Sequence, residues 1–115
     1  MEATDRINDV PVYAPEGSVD INNSAALRDS MLKELTSGCR AVVLDLAEVQ
    51  YIDSSGLSAL VATVNGYEKQ GGTVLLCSAD PAVMKVLEMT RLTDYFTIAE
   101  DREEALQKAG QLIAG

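Results

Sequence analysis

The sequence predicts an α/β fold: a mixed β-sheet of about four strands with about four helices packed on it. Apolar residues change period along the chain, from β-branched runs such as Ala41-Val42-Val43-Leu44 to helical spacing such as Leu57, Leu60, Val61, Val64 and Tyr67. The two patterns alternate at least three times with short connections, which argues for a largely parallel or mixed sheet with right-handed crossovers. With 115 residues the chain has room for one ordinary domain and not two. Hydrophobic residues at 47% against charged residues at 23% give the balance of a packed core and not of a disordered chain.

In chain order, Val10, Val12 and Ala14 alternate in an extended stretch interrupted by Pro11 and Pro15, which suits an edge strand and not a central one. Gly17 to Asp20 leads into Asn22-Asn23-Ser24, N-cap chemistry for a helix over about 25–36. Leu27, Met31 and Leu35 recur there every four residues with Leu32 beside them, and Gly38 stops the helix. The run over 41–46 has the composition of a strand buried on both faces. The helix carrying Leu57 to Tyr67 closes at Gly71-Gly72, and Thr73 to Cys77 forms a second buried strand. Asp80 caps a third helix with Pro81 in its first position, where a missing N–H costs nothing. Val83, Val86 and Leu87 give that helix a core face. Tyr95-Phe96-Thr97-Ile98 reads as a short final strand. The last helix, about 102–112, is expected to pack through Ala105, Leu106, Ala109, Leu112 and Ile113.

Composition excludes several chemistries. Nine Lys and Arg against 18 Asp and Glu leave a net charge of −9, which repels phosphate backbones and makes nucleic acid a poor partner. The longest apolar runs are about four residues, as at Ala59-Leu60-Val61-Ala62, far short of a membrane span, and the N-terminal residues lack the pattern of a secretion signal. A cytoplasmic protein is the expectation. Without histidine, neither a Ser-His-Asp nor a Cys-His arrangement can be built. Cys39 and Cys77 supply no CxxC pair, and Gly71-Gly72 lacks the Gly and Lys of a phosphate loop. No metal, cofactor or catalytic residue is expected.

One stretch exceeds a purely structural account: Val49-Gln50-Tyr51-Ile52-Asp53-Ser54-Ser55-Gly56-Leu57, between the strand over 41–46 and the clearest helix. Asp53, Ser54 or Ser55 can simply cap that helix, worth about 1 kcal/mol. Two hydroxyls and a glycine beside the aspartate are more than a cap requires. Glycine there allows another backbone to approach closely, and the helix N-terminus favours an anion. From the residues alone, a cap and a modified or binding serine both remain open.

At this motif the chain resembles the STAS domain proteins, specifically the bacterial anti-sigma factor antagonists. The matching residues are Gly17-Ser18-Val19-Asp20, Val42-Val43-Leu44-Asp45-Leu46, Ile52-Asp53-Ser54-Ser55-Gly56-Leu57, the Gly71-Gly72 turn, Ser78-Ala79-Asp80-Pro81-Ala82-Val83 and Leu92. The resemblance covers 17–109 most strongly, within a single STAS-like domain over 1–115. It implies a partner switch. The unmodified protein binds an anti-sigma factor serine kinase and releases the sigma factor, phosphorylation of Ser55 blocks binding, and a PP2C-type phosphatase reverses it. The protein is then substrate and ligand, not enzyme.

By the same resemblance, Asp20 and Asn22 lie in the loop beside the phosphorylation site and contact the kinase, though both also suit helix capping. Asp53, Ser54, Gly56, Leu57 and Ser58 border the serine; Ser54 and Ser58 read equally as solvated hydroxyls. Met84 and Met89 lie off the core face of the third helix, where they serve either as adaptable contacts or as packing. Family members begin with a two-stranded hairpin, whereas only nine residues precede Val10 here, so the first strand is expected to be shortened or missing. An exposed sheet edge would then permit a weak dimer beside the monomer. Two other STAS roles fit the same fold, a subunit of a transporter and a component of a stress-signalling scaffold, each binding its partner without sigma release. A hydrolase pairing Ser55 with a lysine such as Lys85 lacks any feature that brings the two together.

Overall fold

The β-branched runs at 41–45 and 73–77 form the centre of the sheet. A computed structural model describes residues 1–114, with side chains through Leu112. The elements run β1 (Asp5–Ile7), β2 (Val10–Tyr13), β3 (Gly17–Val19), α1 (Ser24–Thr36), β4 (Ala41–Asp45), β5 (Val49–Ile52), α2 (Ser54–Lys69), β6 (Thr73–Cys77), α3 (Pro81–Met89), β7 (Thr97–Ala99) and α4 (Arg102–Ala114). The main sheet has the order β1-β2-β4-β6-β7, with β1 antiparallel to β2 and every other neighbour pair parallel. The mixed α/β architecture is therefore as expected, with five strands in the main sheet and two more, β3 and β5, in a separate parallel ladder.

Side chains alternate across a strand, so each central strand feeds two cores. Val42 and Leu44 of β4, with Val74 and Leu76 of β6, join Leu27 and Met31 of α1, Leu60, Val64 and Tyr67 of α2, and Val83 and Leu87 of α3. Ala41 and Val43, with Leu75 and Cys77, join Ala105 and Ala109 of α4 on the opposite face. Each fully buried Leu or Val contributes roughly 1.5–3 kcal/mol. The Tyr67 hydroxyl donates to the Met31 carbonyl at 2.6 Å, which locks α2 against α1 from inside the core.

The first strand, expected to be shortened or missing, is the shortened β1 of three residues. Three expectations are corrected. β2 is not an edge strand: β1 covers it, and its ladder to β4 begins only at Val12, beyond Pro11, so the proline interrupts no bond there. The last strand starts at Thr97, because Tyr95 and Phe96 belong to the preceding turn, where Phe96 is buried as an anchor and Tyr95 is exposed. Leu112 is 54% exposed, so α4 packs through Ala105, Leu106 and Ala109 alone among the described residues; Ile113 lies outside the described side chains.

The small ladder sets the site. Its register pairs Val19 with Ile52, so the next residues, Asp20 and Asp53, leave adjacent strands side by side. Neither strand was legible in the sequence. Three residues of β3 carry no period, and β5 presents two exposed residues between buried ends.

Candidate functional site

Asp53 is the N-cap of α2, as its side chain suggested: one carboxylate oxygen accepts from the Gly56 amide at 2.9 Å. The other oxygen accepts from the Ile21 amide at 3.2 Å. The Asp53 amide donates to the Val19 carbonyl, also at 3.2 Å. One aspartate therefore fixes both the start of α2 and the loop that leads into α1.

That loop is held from within as well. Asp20 accepts from the Ser18 hydroxyl at 2.6 Å and from the Asn22 amide at 2.9 Å, and its backbone amide donates to the Asn23 side chain at 2.9 Å. The Asn23 side-chain amide in turn donates to the Ser18 carbonyl at 2.7 Å. Asn23 thus occupies the N-cap position of α1 without capping it, and its side chain closes the loop. The Ser18 hydroxyl, followed by the Asn22 amide, holds the Asp20 carboxyl below its usual pKa by stabilising the ionised form.

Gly56 has a steric reason. A Cβ at this position would lie 2.3 Å from the Val19 carbonyl oxygen and 2.9 Å from an Ile52 methyl. Only glycine lets β3 and β5 approach the first turn of α2 so closely. The start of α2 is thereby pressed against both strands, and its outer side chains face solvent.

Ser54 and Ser58 are exposed, and Ser55 is half-buried. Ser55 lines an open depression of about 390 Å³ between the first turns of α1 and α2, with Ile21, Ser24, Ala25, Arg28, Ser54, Ser58 and Ala59. On the other side of α2, Ser54, Leu57, Ser58 and Val61 border a shallow apolar hollow that reaches Thr90 and Leu92. Ser54 and Ser58 belong to both. Ser54 and Ser58 thus form the ridge between the two hollows, and Ser55 lies on the wall of the first.

Among the residues singled out from sequence, Asp20, Asn22, Asp53, Ser54, Ser55 and Ser58 come together here. Gly56 is buried and positions the helix from inside, with no surface to offer a partner. Leu57 is partly buried against the main core while its remaining surface lines the apolar hollow. Met84 is not brought to the serine: it packs on the core beside Ala79 and Ile98. Met89 is 74% exposed at the end of α3. The sequence reading missed Ile21, an apolar residue left 74% exposed within a polar loop, and Arg28, whose position one turn after Ser24 places both on one face of α1.

No helix among the described residues is long and apolar enough to cross a membrane, and no cluster of three or more potential metal-binding side chains occurs among them. Both cysteines are free.

A family model described as the STAS domain matches residues 2–105. BtrV of Bordetella bronchiseptica, named as a candidate anti-sigma factor antagonist, is 30% identical over 101 residues, spanning 88% of this chain and 87% of that protein. The anti-sigma-B factor antagonist of Bacillus subtilis is 28% identical over 100 residues, 87% of this chain and 90% of that protein. A crystal structure of a candidate anti-sigma factor antagonist from Thermotoga maritima superposes with a TM-score of 0.85 at 26% identity, covering 92% of each chain.

Proposed function

The chain belongs to the STAS domain family, and from that premise we propose that it is an anti-sigma factor antagonist that works by partner switching in the cytoplasm. Its unmodified form binds an anti-sigma factor serine kinase and frees the sigma factor. Phosphorylation of Ser55 breaks that association, and a PP2C-type phosphatase restores it. In the phosphorylation step the Ser55 Oγ bonds to the γ-phosphorus of ATP as the bond to the bridging oxygen breaks; ADP leaves, and a base on the kinase takes the hydroxyl proton. This protein supplies the hydroxyl and no catalytic group.

The observation that carries the reading is the half-buried Ser55 in the first turn of α2, beside a loop tied to the same turn through Asp53. A hydroxyl so placed can be reached by another protein without unfolding either element. Its phosphate carries about −1.5 to −2 charges at neutral pH. It would arrive within two residues of Asp53 and next to the Asp20 loop, where a partner surface fitted to a neutral serine must desolvate a dianion. The α2 N-terminus offsets part of the repulsion, so the fold survives and the contact does not.

Isolation of the protein from its own cells, with mass spectrometry of its modified residues and of whatever co-purifies, tests this. A phosphate on Ser55 and a bound serine kinase are expected. An unmodified Ser55 with a transport ATPase bound would replace the reading with the transporter role.

A further inference from the structure

We propose that Arg28 is the built-in counter-cation for the phosphoryl group on Ser55, so that the modified serine turns into the depression between α1 and α2 instead of projecting into solvent. This rests on the reading of Ser55 as the modified residue and adds where the phosphate goes.

Four observations converge on the depression. Arg28 is the one cationic residue among those lining it, and Ser55 lies on the facing wall. Among the described residues, Arg28 is engaged only by its chain neighbour Asp29, at 3.0 Å, and that carboxylate is itself largely exposed. A surface pair of that kind is worth little and yields readily to a dianion, which matches the guanidinium fork better than a single carboxylate oxygen does. Ser24, one turn before Arg28 on the same face, lines the same depression. No buried side-chain polar atom among the described residues lacks a partner, so its hydroxyl, which makes no hydrogen bond there, is open to the depression and free to donate to a phosphate oxygen. The amides of Ser54 and Ser55 likewise lack an acceptor among the described residues, because Asp53 takes only the Gly56 and Ile21 amides.

The charges facing a phosphate here are known by element. Asp53 on α2 and Asp20 on the loop repel it, as does Asp29 on α1; Arg28 and the free amides attract it. Asp53 and Asp20 have their carboxylates occupied by internal donors. The attractive groups are those left open.

The test places phosphoserine at position 55 by genetic code expansion, which needs no kinase, and follows the second phosphate ionisation by phosphorus NMR in the wild type, Arg28→Gln and Arg28→Lys. Free phosphoserine titrates near 6. In Arg28→Gln the phosphate pKa is expected to rise by about half a pH unit or more relative to wild type, with Arg28→Lys between the two. Position 28 is on a helix surface, so the unmodified variants should melt with wild type, which excludes misfolding as the cause. Equal phosphate pKa values in wild type and Arg28→Gln would overturn the proposal. Kinase binding is read separately: a protein whose association ignores Ser55 modification sinks the partner switch without changing this titration.

Discussion

Asp53 accepts a hydrogen bond from the backbone amide of Ile21 at 3.2 Å while its second oxygen caps α2 through Gly56, so two segments 32 positions apart share one carboxylate. The loop that borders Ser55 is consequently not free to drift from the helix that carries it. The surface offered to a partner is preorganised by a residue that need not touch the partner at all.

Asp53→Ala should therefore cost about 1–2 kcal/mol of stability, more than an ordinary cap, because two donors lose their acceptor at once. Urea denaturation measures the loss. Hydrogen exchange should speed up at both Ile21 and Gly56 in the same variant, whereas an aspartate acting only as a cap would affect Gly56 alone.

Gly56→Ala should destabilise by about 1–3 kcal/mol, since its Cβ has the rigid Val19 carbonyl 2.3 Å away. Gly110→Ala is the control: a Cβ there meets nothing within 4 Å on an exposed face of α4, and alanine is the better helix former by about 1 kcal/mol. Thermal melts of the two variants should move in opposite directions.

Alkaline pH should weaken the fold through Cys77. Burial, followed by the nearby Asp45 charge, pushes this thiol up to about 11 from an ordinary value of 9.0. The folded state thus favours the protonated form. Its contribution is complete below pH 9, and it is lost between about pH 9 and 11 as the unfolded thiol ionises first. Tyr67, raised mainly by burial, acts in the same direction above pH 10. Denaturant midpoints at pH 7, 9 and 10.5 should fall only over the last interval, and Cys77→Ala should flatten that fall.

Much of this was legible from residue patterns. Runs such as Val42-Val43-Leu44 and Thr73 to Cys77 announce strands because both faces are buried, and the 3.6-residue spacing of Leu57, Leu60 and Val64 announces α2. Asp53 and Asp80 advertise their helix starts by side-chain chemistry, and each accepts the expected amide. What sequence did not show are features created by long-range pairing. The β3–β5 ladder is too short to carry a period, and it alone brings Asp20 beside Asp53. Asn23 looked like a cap but serves the loop, because Asp20 and Ser18 offer its side chain better-placed partners. Pro11 argued for an edge strand since the covering strand β1 is only three residues long. Arg28 acquires significance only from the helix that lies across from it.

The most direct test of the proposed partner switch is calorimetric titration of the proposed partner, an anti-sigma factor kinase recovered with this protein from its own cells. The titrants are the unmodified chain, its Ser55→Ala variant and the chain phosphorylated at Ser55. The first two should bind alike, and the phosphorylated form should bind at least roughly 100-fold more weakly, about 2.7 kcal/mol. Equal affinity for all three would contradict the account.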